Sequence, residues 1–104
     1  PAMNTHRSAF AGRNFEYYSE DGVLAGKLAA AQVSAMASKG TYNYIKHFAL
    51  NDQETNRCAF LLTYSNEQAI REIYLKPFEL CIKNFDGTQI AVMSSFNWIG
   101  MKTH

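Results

Sequence analysis

The chain has 104 residues, of which 47% are hydrophobic and 13% aromatic, and its formal net charge is +1. This composition favours one small, packed domain over a disordered segment. Because the net charge is small and no basic cluster is interleaved with aromatic residues, neither nucleic acid nor a membrane surface is an expected partner. No apolar run is long enough to span a bilayer, and the lack of a signal-peptide pattern favours a cytoplasmic location. Cys58 and Cys81 lack the spacing of a metal site, so we expect two free thiols and neither a metal nor a cofactor.

The start of the chain predicts loops. Residues 1–8 have no hydrophobic periodicity, so we expect a loop that follows a strand not present in the sequence. Residues 11–21 continue as a polar, aromatic loop. Arg13 can hold a carboxylate or sugar hydroxyls through its planar fork of donors, and Glu16 is placed to fix that fork. The alternative is an exposed Arg13–Glu16 pair, which would contribute little to stability.

Two helices are predicted. The first begins at the N-cap Asp21 and ends at Gly40 as its C′ residue, and its apolar residues at helical spacing are Leu24, Leu28, Ala31 and Ala35. The second begins at a capping box formed by Ser65 and Gln68, and Pro77 is expected to kink it. Its predicted buried side consists of Ile70, Ile73, Tyr74, Pro77, Phe78, Cys81 and Ile82.

Strands are predicted at residues 42–48 and 88–93, the second being an apolar run of the kind that is buried on both faces. Loops, helices and strands alternate along the chain, which indicates an α/β fold with parallel strands and right-handed crossovers. This order fits about two to three units of a (β/α)8 TIM-type barrel, so the fold class is a partial barrel. Only two strands are predicted, so we expect the chain to expose apolar surface or to self-associate.

Polar loops follow the strand ends or candidate strand ends, around Arg13, at residues 46–57 and at residues 94–98. In a (β/α) barrel, such loops open on one face. Neighbouring residues of a regular strand point to opposite faces, so Lys46 and His47 can converge on one ligand only where the pleat breaks. The alternative is a solvated Lys46 beside a hydrogen-bonded core histidine at position 47.

Four segments resemble the family 3 glycoside hydrolases, in particular their β-glucosidase branch. They are GRNFE at 12–16 with SED at 19–21, KHF at 46–48 with NDQE at 51–54 and Arg57, REIYLKPFE at 71–79, and VMSSFN at 92–97. They occur in the family's order across nearly the whole chain. A related branch that acts on N-acetylglucosamine has a glycine- and histidine-rich loop after Lys-His-Phe, and the NDQE loop here favours a glucosidase.

The resemblance implies a retaining β-glucosidase that hydrolyses terminal non-reducing β-D-glucosyl residues on the face of an N-terminal barrel. Family positions that hydrogen-bond the hydroxyls of the terminal sugar (the glycone) are matched by Arg13, Lys46, His47 and Arg57. Met93 and Phe96 match positions that flank this sugar. Many members have tyrosine where this chain has Phe96, so a hydroxyl group is expected to be absent here.

Retaining glycosidases need a nucleophilic carboxylate and an acid/base carboxyl group. The family's nucleophile lies in a Ser-Asp-Trp-type motif, which this sequence lacks. The resemblance gives Asp52 and Glu54 a loop-structuring role, and a nearby Arg57 is expected to lower their pKa. We therefore expect residues 1–104 to be an internal, catalytically inactive segment of the barrel domain. Its partners would be a β-glucoside and the rest of the parent barrel; the alternatives are a non-catalytic carbohydrate-binding module and a half-barrel that self-associates.

Overall fold

The structure is a computed structural model that describes residues 1–100, so residues 101–104 lie outside the described part of the chain. Its helices are α1 (Gly22–Ala37), α2 (Glu67–Ala69) and α3 (Lys76–Asn84), with a 3-10 turn at Asn14–Glu16 and a π-helical turn at Ile70–Tyr74. Its strands are β1 (Asn43–Phe48), β2 (Leu62–Thr63), β3 (Ile90–Ser94) and β4 (Trp98–Ile99). Strand β1 pairs with β3 and β2 pairs with β4, both in parallel. The predicted α/β fold with parallel strands is therefore confirmed.

The first residues of the chain are part of this sheet. The Met3 N–H donates to the Lys46 carbonyl at 2.8 Å, and the Lys46 N–H donates to the Pro1 carbonyl at 3.1 Å. Met3 is fully buried. Apart from the isolated bridges of Ala2, residues 1–8 have no regular secondary structure, so the predicted loop is confirmed except that its first residues cover the second edge of β1.

Helix α1 has the predicted ends. The Asp21 Oδ1 atom accepts from the Val23 N–H at 2.7 Å. Gly40 has a φ of +80° and donates its N–H to the Ala37 carbonyl at 2.9 Å, which is the pairing of a C′ residue. These two residues define the helix because each satisfies backbone groups that the helix leaves unpaired.

The apolar side predicted for α1 is wrong, because Leu24, Leu28, Ala31 and Ala35 are all exposed. The helix instead buries its small residues, Ala25, Gly26, Ala29, Ala30, Val33 and Ala37. At Gly26, an added Cβ would lie 2.7 Å from the Leu80 Cβ and 3.0 Å from the Pro77 carbonyl oxygen. The close approach of α3 thus requires the small residues.

The second predicted helix is divided in two. Its N-cap is Asn66, whose Oδ1 accepts from the Ala69 N–H at 2.8 Å, so the predicted capping box of Ser65 and Gln68 is wrong. After the π-helical turn, the chain restarts as α3 with Pro77 in its first turn, where the missing N–H of a proline costs nothing. On the predicted buried side, Pro77, Phe78 and Cys81 are buried, Ile70, Ile73 and Tyr74 are half-buried, and Ile82 is exposed.

The core lies between α1, α3 and β1, and its buried residues are Met3, Ala29, Ala30, Val33, Ile45, Phe78 and Cys81. Strand β3 is not buried on both faces as predicted, because Val92 is 49% and Met93 44% exposed. Cys81 is buried and Cys58 exposed, and both are free thiols, as expected. In the described range 1–100, no helix combines the length and apolarity needed to cross a membrane.

Candidate functional site

Lys46 and His47 lie at the carboxyl end of β1, where the strand becomes irregular. The register between β1 and β3 shifts between Ile45 and Phe48. As a result, two neighbouring side chains reach the same carboxylate: the Lys46 Nζ lies 3.0 Å from the Glu16 Oε2, and the His47 Nε2 lies 3.8 Å from the Glu16 Oε1. Both side chains thus approach one carboxylate where the pleat breaks, and their convergence on a ligand stays a prediction.

Glu16 is held in place by the 3-10 turn that follows Arg13. The Arg13 Nη1 donates to the Glu16 Oε1 at 3.0 Å, and both side chains are mostly buried, with 25% and 19% of their area exposed. Burial acts to raise the pKa of Glu16, but the hydrogen bonds from Lys46 and Arg13 outweigh it and hold the pKa below its usual value. The hydrogen bond to Glu16 in turn raises the pKa of Arg13. Glu16 is thus a carboxylate held ionised between two cations.

A second carboxylate extends this group of charges. The Glu54 Oε1 lies 3.0 Å from the Arg13 Nε, and the Glu54 Oε2 lies 3.1 Å from the Arg57 Nη1. The Asn51 Nδ2 also donates to the Glu54 Oε1, at 3.1 Å. Arg13 therefore bridges both carboxylates. We call the connected set the charged cluster, and its members are Arg13, Glu16, Lys46, His47, Glu54 and Arg57.

His47 is the uncharged member of the cluster. Its side chain is buried, and burial, followed by the charge of Lys46, lowers its pKa from 6.5 to about 4. The Nδ1 atom is buried and has no hydrogen-bond partner within residues 1–100. At neutral pH the imidazole is therefore neutral, with one nitrogen able to donate and the other able to accept.

Aromatic and apolar residues border the cluster. The Arg57 guanidinium lies over the Phe96 ring, 4.8 Å from its centroid, which is a cation–π distance. The strand register alone places Met93 near the cluster. Met93 precedes Ser94, which pairs with Phe48, and Phe48 follows the cluster member His47. The structure therefore joins five of the predicted site residues by direct contacts and places Met93 on the neighbouring strand. Their role in sugar binding stays a prediction.

The two carboxylates of the NDQE loop differ in their surroundings. Glu54 holds Arg57, as predicted. For Asp52 the predicted direction of the pKa shift is wrong: burial raises its pKa, although a hydrogen bond from Tyr74 and the charge of Arg7 oppose the change. The arginine of the same loop pairs with Glu54, which leaves Asp52 to be governed by its burial.

Several polar residues that support the cluster were not anticipated. Asn4 is hydrogen-bonded to the backbone of His47, and Asn97 and Ser95 both donate to the Ala49 carbonyl. The Tyr17 hydroxyl accepts from the Asn51 Nδ2 at 3.3 Å, and burial raises the pKa of Tyr17 to about 12. These residues are buried and polar, and a single sequence does not indicate which of its polar residues are buried.

The arrangement is suited to binding a ligand with several hydrogen-bonding groups. Lys46, Arg13 and Arg57 have more N–H donors than the carboxylates use, and the imidazole adds a further donor or acceptor. Among residues 1–100, no three His, Cys, Asp or Glu side chains are grouped so that they could hold a metal ion. The cluster offers fixed hydrogen-bonding groups at the carboxyl end of a parallel strand, where α/β folds place their sites.

Comparisons with known proteins agree with one another. The model of the glycosyl hydrolase family 3 N-terminal domain matches residues 1–100. A β-glucosidase of Ruminococcus albus is 51% identical over 83 residues, which cover 80% of this chain and 9% of that protein. β-Glucosidase B of Emericella nidulans is 47% identical over 98 residues, which cover 93% of this chain and 11% of that protein.

Solved structures give the same result. β-Glucosidase 3B of Thermotoga neapolitana, in complex with glucose, superposes with a TM-score of 0.91 and 48% sequence identity, covering 99% of this chain and 14% of that chain. A β-glucosidase of Kluyveromyces marxianus in complex with glucose has a TM-score of 0.90 and 35% identity, covering 99% of this chain and 12% of that chain. The chain spans about a tenth of the length of the curated relatives that it matches. It belongs to glycosyl hydrolase family 3, as part of the family's N-terminal domain.

Proposed function

We propose that residues 1–104 are an internal segment of the barrel domain of a retaining β-glucosidase and form its glycone-binding face. The parent enzyme hydrolyses terminal, non-reducing β-D-glucosyl residues. The observation that carries the proposal is the charged cluster, in which Arg13, Lys46, His47 and Arg57 are connected through only two carboxylates. The relatives that are β-glucosidases, and the neighbours solved with glucose, support the substrate class.

The cluster binds the sugar by multiple hydrogen bonds. Glu16 and Glu54 each hold two cations, so the free N–H groups of these cations keep one direction and lose little rotamer entropy on binding. Donors fixed in this way can bind hydroxyls more tightly in the oxocarbenium-like transition state than in the ground state. Neutral His47 adds hydrogen bonding without a further positive charge beside that cationic transition state.

The catalytic carboxylates come from elsewhere in the parent enzyme. Glu16 is ionised and occupied by Lys46 and Arg13, so it is poorly suited to act as an acid. Glu54 is occupied by Arg13 and Arg57 in the same way. Since the family's Ser-Asp-Trp-type nucleophile motif is also absent from the sequence, we assign both roles of a retaining mechanism, the nucleophile and the acid/base, to residues outside this segment.

The exposed apolar residues support contact with the rest of a barrel. Val92 and Met93 are about half exposed on β3, whereas interior parallel strands are covered on both faces. The alternatives of a non-catalytic sugar-binding module and of a self-associating half-barrel make different predictions for the isolated chain. Glucose binding by the isolated chain would favour the module, and a stable, closed oligomer would favour the half-barrel.

The substrate and the stereochemistry are tested on the full-length enzyme that contains this segment. We expect turnover of an aryl β-glucoside, with β-glucose as the first product in a proton NMR time course. Initial release of α-glucose would contradict retention. A folded enzyme that binds no glucose and hydrolyses no glucoside would contradict the function.

The role of the cluster is tested by Lys46→Met in the same enzyme. Loss of a charged hydrogen bond predicts a fall in kcat/KM of about 10- to 100-fold. The matched control is Lys76→Met, because Lys76 also pairs with a glutamate, at 3.2 Å, but on α3. Equal effects of the two substitutions would argue against the cluster as the sugar site.

A further inference from the structure

Asn4 forms a two-point contact with the backbone of His47. The Asn4 Nδ2 donates to the His47 carbonyl at 2.9 Å, and the His47 N–H donates to the Asn4 Oδ1 at 2.7 Å. Asn4 is 4% exposed and His47 7% exposed, so both bonds are shielded from water. Asn4 directly follows Met3, the residue that pairs with Lys46 at the edge of β1.

The contact is explained by the irregular end of the strand. The register gives Ile45 and Phe48 partners in β3 but gives none to Lys46 or His47. Buried backbone N–H and C=O groups nevertheless need partners. A side-chain amide presents one donor and one acceptor on the same edge, as a peptide group does, so Asn4 supplies the backbone partners that β3 does not give to His47.

The chain just after β1 is fixed from the other side. The Ala49 carbonyl accepts from the Ser95 Oγ at 2.9 Å and from the Asn97 Nδ2 at 3.1 Å. The backbone that carries the His47 side chain is therefore held both before and after the irregularity. Its ring points toward Glu16, with the Nε2 3.8 Å from the Oε1.

We propose that Asn4 is a positioning residue for the glycone site: its two hydrogen bonds fix the backbone of His47 and thereby set the imidazole in the charged cluster. Asn4 touches no substrate itself and acts through His47. The inference rests on the proposed function, because it assigns His47 a task in binding the sugar. It makes the first residues of the chain part of the site.

A second buried asparagine provides a matched control. Asn43 lies at the opposite, amino end of β1, is 1% exposed, and donates its Nδ2 to the Thr41 carbonyl at 3.0 Å. Both asparagines are buried and hydrogen-bond to backbone groups, Asn4 at the carboxyl end of β1 and Asn43 beside its amino end. If Asn4 served stability alone, Asn4→Ala and Asn43→Ala would have the same consequences for activity.

The experiment compares these variants in the full-length enzyme, with an aryl β-glucoside as substrate. We expect Asn4→Ala to raise KM about tenfold, since two hydrogen bonds that fix His47 are lost. Asn43→Ala is expected to lower Tm with KM unchanged within about twofold. The proposal would be overturned if both variants had a lower Tm and neither had a changed KM.

A double-variant cycle tests whether Asn4 acts through His47. In a His47→Ala background, Asn4→Ala is expected to have no further effect on kcat/KM, because the side chain that Asn4 positions is already gone. Additive effects of the two substitutions would overturn the proposal. If Asn4→Ala does not fold, Asn4→Asp takes its place, because it keeps the acceptor for the His47 N–H and loses the donor to the His47 carbonyl.

Hydrogen exchange at the His47 amide tests the positioning role without measuring activity, so its result does not depend on the proposed function. An unmodified enzyme that folds but hydrolyses no β-glucoside would refute the proposed function, whatever Asn4 does. The His47 amide is expected to exchange at least tenfold faster in Asn4→Ala than in the unmodified enzyme, and to be unchanged in Asn43→Ala. Unchanged protection of this amide in Asn4→Ala would overturn the positioning role directly.

Discussion

The Glu16 Oε2 lies 3.0 Å from the Lys46 Nζ, and this contact joins the 3-10 turn Asn14–Glu16 to the end of β1. The other oxygen of the same carboxylate accepts from the Arg13 Nη1 at 3.0 Å. One side chain therefore determines where two cations of the site lie, although they come from different segments of the chain. The site depends on its carboxylates as much as on the cations that they hold.

Glu16→Gln is predicted to impair both stability and binding. The amide keeps the shape of the side chain but removes the charge that Lys46 and Arg13 share. For these partly buried ion pairs we expect a loss of about 1–2 kcal/mol in the free energy of unfolding, and a rise in KM for an aryl β-glucoside. Urea unfolding and steady-state kinetics of the full-length enzyme measure the two effects.

Glu67→Gln is the control for this prediction. Glu67 pairs with Arg71 at 2.9 Å, but the two side chains are 78% and 72% exposed. Such exposed pairs contribute about 0.5 kcal/mol or less, so stability and KM should hardly change. If Glu67→Gln cost as much as Glu16→Gln, the special role of the buried carboxylate would be refuted.

His47 is predicted to make stability dependent on pH in the mildly acidic range. Its pKa is lowered by burial and by Lys46 from 6.5 in the unfolded chain to about 4 in the folded chain. As the pH falls from 6.5 towards 4, the unfolded state binds a proton that the folded state does not, so stability is lost in this window and is fully present above it. The loss amounts to about 2–3 kcal/mol.

The measurement compares urea unfolding of the unmodified protein and of His47→Gln between pH 6.5 and pH 4. A glutamine does not titrate, so the difference between the two stability curves isolates His47. We expect the unmodified protein to lose more stability than the variant on acidification. If the two curves of stability against pH ran parallel, His47 would have the same pKa in the folded and the unfolded protein, which would contradict the prediction.

The sequence predicted strands β1 and β3 and their parallel pairing from local patterns, but it did not predict the two-residue strands β2 and β4. The alternation of elements indicates crossover connections, and Asp21 and Gly40 mark the ends of α1 through their own backbone contacts. The buried side of α1 was not predictable in the same way. The leucine and alanine sets both recur at helical spacing, and only the close approach of α3 at Gly26 selects the small residues.

The site was predictable to the extent that its residues match family positions. Arg13, Lys46, His47 and Arg57 were identified through the resemblance, and the structure brings them together. Asn4 was missed because its role depends on an irregular strand end far along the chain. The pKa of Asp52 was misjudged for a similar reason, since burial is a property of the tertiary fold.

The isolated 104-residue chain is predicted to be inactive towards an aryl β-glucoside. Without a nucleophile, the isolated chain cannot form the glycosyl-enzyme intermediate. Asp52 is the strongest substitute, because burial raises its pKa above the usual value of an aspartate. The assay therefore includes Asp52→Asn and Glu54→Gln. Turnover that either substitution abolishes would show that the segment carries its own catalysis.

The isolated chain is also predicted to self-associate through apolar residues that the parent barrel would cover. Leu24 and Leu28 are 48% and 44% exposed on one side of α1, and burying the exposed half of a leucine contributes about 1 kcal/mol. We expect Leu24→Lys with Leu28→Lys to weaken association about tenfold or more in sedimentation velocity. The control is Ala31→Lys with Ala35→Lys, which adds the same charge to exposed positions of the same helix but removes far less apolar surface. A compact, cooperatively unfolding monomer in the unmodified chain would contradict the prediction. Equal weakening by both pairs would assign the effect to charge and not to the leucines.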